Sequence, residues 1–506
     1  DNSLKEKSYS KYMVIDGIEE HYEIPSNWIR KNYVYDNSRN SRSEFYVYHA
    51  LRLPCKDKLR LIFSFGENKP DALDKVMDIK KNVQLISKIH ESYLEKNLGT
   101  KYALSLVSGK KFAFGYINAL HAIDGLMVKS DSINGLWAGL PWFFQYWSRD
   151  ELISLKALIL EEKKEFVKEV LERHINSILS NGRLPNIYKK DGHSGLGSAD
   201  SIGWLFRRIK DIILLLEEQD ADFKYFNLYE FKYIRERLNF AIRQLMNKYY
   251  VDGLIHNDAL ETWMDTENGG DRREGFRIEI QCAFLCMLNL MNLLNHLLAN
   301  KFVKKNDKLV VITDTDIDYR KLERETAMLV RDRFLVNGYL NDGWNCDNAH
   351  ITRPNIFLAY YLYPELLKNE EWETVFDNAI PRLWNDWSFD GEMDGGLGGG
   401  FSTIDKEHPL YHPNYTGQDN KSYHRGDSWF YLNNIAAICL YRLNKEKYFQ
   451  YIKRILDAST EDMLFRGFIG CSSELSSISH LDPGGCFCQT WSIATYIELI
   501  HEIFIK

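Results

Sequence analysis

Cysteine is scarce in this chain, with 8 among 506 residues. The only close pairs are Cys282/Cys286, on a helical pattern, and Cys486/Cys488 within CFC. Neither has the matching second pair of a zinc site, so reduced thiols and no structural metal are expected. No run of 18 apolar residues occurs, and the opening DNSLKEKSYSKYMVIDGIEE lacks the apolar core of a signal peptide. The expectation is a soluble, cytoplasmic protein with no membrane partner. Positive charge is not in excess either, at 64 Lys and Arg against 71 Asp and Glu, a net charge of -7. That balance gives no electrostatic reason to bind a polyanion and argues against nucleic acid. The glycine run GEMDGGLGGGFST lacks the Lys and Ser/Thr of a phosphate loop and follows no Rossmann strand. It reads as a flexible wall of a cleft.

Aromatic residues, by contrast, are abundant, at 14% with 12 Trp and 30 Tyr. Most must be core, but a surplus of Trp and Tyr also suits sites for flat, hydroxyl-rich ligands. Residues 1–72 contain short alternating runs such as SEFYVYHALRLP and DKLRLIFSFGE, which predict a β-rich region. From there to residue 506 a helical period dominates, with segments at 75–98, 150–162, 165–180, 199–218, 228–249, 275–300, 319–335, 352–367, 370–384, 425–443, 446–462 and 489–505. Connections after the odd-numbered segments are long, and those after the even-numbered ones are mostly short. Antiparallel neighbours put every odd-to-even connection at one end, where sites are usually built. The pattern predicts a mainly α protein, an (α/α)6 barrel of about twelve helices preceded by a β-rich region.

The unusual segments fall in those long connections. GLWAGLPWFFQYWSRDE carries Trp142, Trp147, Arg149 and Asp150; an Arg next to an Asp can bracket a sugar hydroxyl, one donating and the other accepting, while a Trp stacks on the ring. Asp150 and Asp200 could equally cap the helices that follow them. ETWMDTENGG offers three carboxylates, Glu261, Asp265 and Glu267, on an irregular loop, and RGFIGCSSELSSISHLDPGG offers Glu474. Carboxylates from connections three hairpins apart would face each other across the barrel mouth. An inverting glycosidase needs such a pair, one protonated and one ionised, roughly 6.5 to 9.5 Å apart.

Taken in order, AGLPWFFQYWSRDE, TWMD, RIEIQ, TRPN, YHRGDSW and QTWSIA resemble the glucosidase part of archaeal and bacterial glycogen debranching enzymes, the amylo-α-1,6-glucosidases. The resemblance spans roughly residues 130 to 500. It implies an (α/α)6 barrel after a β-sandwich, here shortened, and inverting hydrolysis of α-1,6-linked glucose at the branch stubs of glycogen or limit dextrin, without a cofactor. It further implies Asp265 as general acid and Glu474 as general base, and Trp147, Arg149 and Asp150 on the nonreducing glucose. Trp142, Asp200, Trp263, Arg277, Glu279, His424, Arg425, Trp429 and Trp491 are expected around the substrate. Ser148 replaces the family's usual Gly, Arg425 its usual Gln or Asn, and Arg277 and Gln281 flank a variant of its Val-Glu-Ile-Asn block. Asp265 is expected to stay protonated through burial against Trp263 and nearby carboxylates. Two other readings stay open, an α-1,4-glucosidase or trehalase-like hydrolase on the same scaffold, and a glycan-binding protein without catalysis.

Overall fold

A computed structural model describes the chain except for residues 1–11, 19–21, 54–59, 109, 129–132, 190–191, 196, 219–224, 300–316, 389–396 and 506. Two compact units are present, Asp1–Ala103 and Leu104–Lys506.

In the first unit, β1 (Tyr12–Asp16) pairs antiparallel with β4 (Ile62–Gly66), and β2 (Asn27–Asn32) with β3 (Glu44–His49). A short helix, α1 (Val34–Ser38), lies in the β2–β3 connection, and α2 (Lys69–Ser108) follows β4. The division between the units falls inside α2. On the β2–β3 pair, Trp28 stands opposite Tyr48 with Tyr46 beside them, and these rings remain exposed.

The second unit holds twelve described helices: α3 (Lys110–Leu126), α4 (Ser148–Leu160), α5 (Lys164–Asn176), α6 (Ser201–Glu218), α7 (Leu228–Tyr249), α8 (Ile278–Leu297), α9 (Tyr319–Phe334), α10 (Asn355–Leu362), α11 (Asn369–Leu383), α12 (Phe430–Asn444), α13 (Phe449–Glu461) and α14 (Thr490–Ile500). The even-numbered helices form a closed inner ring: α4 packs on α6, α6 on α8, α8 on α10, α10 on α12, α12 on α14, and α14 back on α4. The odd-numbered helices lie outside them, making an (α/α)6 barrel.

Composition explains the two layers. Inner helices are apolar nearly all round: every residue of α10 and α14 is buried. Helix α8 is long and apolar enough to cross a membrane, but it is an inner helix buried along most of its length. Outer helices are amphipathic. In α5, for example, Phe166, Val167, Val170, Leu171, His174 and Ile175 face inward at helical spacing. Helix α7 starts at a capping box in which Asn227 and Glu230 satisfy each other's backbone N–H groups.

Residues 110–126 were expected in a connection and are helical instead. Gly115 and Gly125 lower the helix propensity there, yet Ala113, Tyr116, Leu120 and Ile123 are buried on one face. Gly115 has a packing reason, because a Cβ at that position would strike the Tyr496 hydroxyl on α14. The glycine run also departs from expectation. Residues 391–396 lie outside the described residues, but Leu397–Phe401 form a strand paired with Trp384–Ser388. A Cβ at Gly399 would collide with the Trp384 ring and one at Gly400 with Trp387 and the Ser428 hydroxyl, so these two glycines serve close packing rather than a flexible wall.

All six inner helices begin at the same end of the barrel, after the long connections. Their N-termini carry partial positive charge, which favours carboxylates at that end.

Candidate active site

Asp265 sits in the connection between α7 and α8, and the other two carboxylates of that segment are occupied elsewhere. Glu261 accepts from the Asp258 N–H and pairs with buried Arg183 at 2.7 Å. Glu267 lies at the surface beside Arg272, 3.2 Å away. Asp265 instead faces Arg149 (Oδ2 to Nη1, 3.6 Å) and His424 (Oδ1 to Nε2, 3.5 Å), with 42% of its side-chain surface accessible. Arg149, in the first turn of α4, donates from Nε to both oxygens of Asp200, at 3.0 and 2.8 Å. Asp200 also accepts from Ser198.

Glu474 comes from the connection between α13 and α14 and is 4% exposed. Its Oε1 accepts from the Tyr423 hydroxyl at 2.5 Å and its Oε2 from the Cys486 N–H at 2.7 Å. Leu475–Ser476, just after it, pairs with Ser428–Trp429 on one side and Pro483–Gly484 on the other. Gly485 leaves no room for a side chain, since a Cβ would meet the Glu474 carboxylate. Both carboxylates act electrostatically on Asp150 and on Tyr423, so the two connections converge on one place.

The proton distribution differs from expectation. Burial alone would raise the Asp265 carboxyl, but the contact from His424 and the charge of Arg149 outweigh it and hold Asp265 below its usual range. Asp265 is therefore ionised in the free site, not protonated. Burial pushes Asp150 up to about 8; Arg149 opposes this, while Glu474 and Asp265 add to it. Asp150, to which the Gln489 side chain donates at 3.0 Å, keeps its proton at neutral pH, and burial also drives Asp427, which accepts from the Ser422 hydroxyl, well above its usual range. Burial likewise drives the His424 imidazole down to about 4, so it is neutral beside Asp265.

Several residues expected around a substrate serve as its support. Trp263 is 2% exposed, donates to Asn355 and meets His424, Trp429 and Tyr431 edge to face. Trp429 donates to the Tyr423 carbonyl and stacks on His424, and buried Trp491 stacks on Tyr431 at 4.2 Å. These rings form an aromatic floor that fixes His424 and Tyr423. Arg277 and Glu279 belong to a buried ionic lattice. Asp342 accepts from Arg273 (2.9 Å), Arg277 (3.3 Å) and Asn355 (2.7 Å), and Arg273 also donates to Glu279 (2.6 Å). Arg425 pairs with Asp271 at 3.0 Å and donates to the Thr266 carbonyl, and Arg353 donates to Asp271 at 2.7 Å. With 1 to 2% of their side chains accessible, Arg277, Glu279 and Arg425 are spent on protein partners. Trp142 is at the rim, 38% exposed and 5.0 Å from the Phe487 ring. Trp147 is half-buried in a strand paired with Ile187–Tyr188. Tyr423, Gln489 and the carboxylates Asp271 and Asp342 were not singled out from sequence. Tyr423 lies next to His424 within YHRGDSW, which was the available signal.

The model of the amylo-alpha-1,6-glucosidase family matches residues 120–498. No curated protein sequence matches. Among solved structures, a GH63 mannosylglycerate hydrolase from Thermus thermophilus in complex with glucose is similar at 12% identity and a TM-score of 0.52, over 76% of this chain and 99% of that one. An uncharacterised conserved protein from the same organism (11%, TM-score 0.53) covers 76% and 98%. A glycosidase variant in complex with glucose (11%, TM-score 0.53) covers 78% and 98%. At such identities these neighbours speak to the fold.

Proposed function

Since the chain belongs to the amylo-alpha-1,6-glucosidase family, a family of glycoside hydrolases, we propose that it releases glucose from α-1,6-linked branch stubs of glycogen or limit dextrin with inversion. Asp265 is the general acid and Glu474 the general base. The observation that carries this reading is the convergence of these two carboxylates from separate connections on the adjacent Tyr423 and His424: the Tyr423 hydroxyl donates to Glu474 at 2.5 Å, and the His424 Nε2 faces Asp265 at 3.5 Å. Their settings suit different tasks. Asp265 is open to the cleft and the oxygen it must protonate. Glu474 is held by two donors, a fixed orientation suited to drawing a proton from an attacking water.

Because Asp265 is ionised in the free site, it must take up a proton when a glycan covers it and removes its water. Loss of solvent disfavours the charged form, and Asp150 stores a proton nearby. As the leaving oxygen accepts that proton, the anomeric carbon becomes oxocarbenium-like and water adds from the opposite face. Arg149, anchored by Asp200, is placed to hold sugar hydroxyls. Glucose release from limit dextrin, maltose and trehalose, assayed side by side, tests the linkage. Proton NMR of the first anomer released tests the stereochemistry. Preferential cleavage of maltose or trehalose would replace the debranching assignment, and α-glucose as first product would end the inverting one.

A further inference from the structure

On the loop end of the barrel, a second pocket of about 870 Å³ lies between the 345–351 and 405–409 segments, with Arg382 of α11 beside them. Its walls meet where the Asp405 N–H donates to the Thr352 carbonyl at 3.0 Å. Arg353 comes next in the chain, and its guanidinium reaches back to Asp271, which also pairs with Arg425. Arg425 holds the Thr266 carbonyl, one residue from Asp265. One ionic wall therefore separates this pocket from the catalytic cleft.

The lining selects a chemical class. Its one guanidinium, Arg382, is neutralised by Asp405 at 2.6 Å, while Asp347 and Glu407 stay exposed on opposite walls, so an anion is disfavoured. Among the described residues no His, Cys, Asp and Glu cluster could hold a metal ion. Asn345, Asn348 and the imidazoles of His350 and His408 add donors and acceptors, and no Phe, Tyr or Trp ring lines the pocket. Such a surface suits a neutral ligand rich in hydroxyls. We propose that this pocket binds a neutral glucan segment next to the scissile residue: the second chain of a branched substrate, held beside the chain being cut. The inference rests on the proposed function, since a branch point brings two chains to one mouth.

Two variants test it, Asp347→Ala/Glu407→Ala, which removes an acceptor from each wall, and Glu407→Trp, which fills the space. Neither side chain belongs to the catalytic machinery. KM for limit dextrin should rise roughly tenfold in both, the loss expected from a few hydrogen bonds, with kcat/KM for a small α-glucoside within a factor of two. In an Asp265→Asn background, which prevents digestion, retardation of the protein in native gels containing glycogen should fall in the same variants and stay insensitive to salt. Unchanged KM and retardation would overturn the proposal. So would equal losses on the small substrate, which would mark a general disturbance of the cleft, and retardation that collapses with salt, which would mark a charged ligand. Folded wild-type protein that is retarded by glycogen yet releases no glucose would instead refute the proposed function and leave the pocket's glucan binding standing.

Discussion

The two walls of the cleft are built from opposite materials. The Asp265 wall stands on charges: Asp271 and Asp342 are shared among Arg273, Arg277, Arg353 and Arg425, all buried. Burial works against Asp271, but Arg353, Arg425 and Arg273 prevail and bring its carboxyl down to about 2. The Glu474 wall stands on backbone and hydroxyl groups. Asp462 anchors it by accepting from the Ser473 N–H at 2.8 Å and from the Ser472 hydroxyl, and burial pushes that carboxyl up to about 7. One wall is thus clamped by permanent charges and presents an accessible carboxylate. The other is fixed by neutral donors and buries its carboxylate. The proposed acid has to meet a substrate oxygen and the proposed base has to hold one orientation, and the two constructions suit those proposed roles.

The comparison can be broken first at the chemistry. Asp265→Asn and Glu474→Gln should each lower glucose release by roughly a thousandfold while leaving glycan binding and the circular dichroism spectrum intact. Retention of more than a tenth of the activity by either would sink the pair. Next comes the ionic wall. Asp342→Ala leaves buried guanidinium groups without their counter-charge and should cost about 3 to 5 kcal/mol, read as a lowered urea midpoint. Asp462→Asn keeps most of its hydrogen bonds and should cost no more than about 1 kcal/mol. If the two midpoints coincide, the contrast between the walls is wrong.

A smaller asymmetry is expected at the carboxylates themselves. Glu474→Ala strands the Cys486 N–H and the Tyr423 hydroxyl, a loss of about 1 to 3 kcal/mol. Asp265→Ala, at a partly accessible position, should stay within about 0.5 kcal/mol of wild type. The least effect concerns pH. A carboxyl raised to about 7 in the fold keeps its proton where the unfolded chain has released it, so Asp462 makes stability fall as pH rises from about 4 to 7. Asp271, lowered to about 2, contributes stability that is complete above about pH 4 and lost only as pH falls through 2. The neutral His424, driven down to about 4, acts in the opposite direction over that range, so the effect is read as a difference: the melting temperature of the wild type should fall relative to that of Asp462→Asn as pH rises from about 4 to 7. A slope unchanged by that substitution would remove Asp462 from the account.

Much of this could be read from the residues. Eleven of the barrel helices follow from apolar periodicity, because helices that bury one face must repeat it. The parity of the connections then places TWMD and SSEL at one end. Helix α3 escaped, since Gly115 reflects contact with α14, which no local window contains. The tryptophans misled for a related reason. Trp263, Trp429 and Trp491 lie in site motifs, but only packing reveals that they carry the floor beneath His424 and Tyr423 rather than an accessible stacking face.

What the sequence by itself determined is the layered helical ring and the small set of carboxylates brought to its mouth, because both depend on residue type and spacing along the chain. The charge state of those carboxylates was decided only by the tertiary structure. Desolvation and Coulomb interactions depend on distance in space. Arg149 from the first turn of α4, and His424 and Asp265 from two different connections, meet only in the folded barrel, where burial pushes Asp150 up to about 8 while Asp265 is held below its usual range.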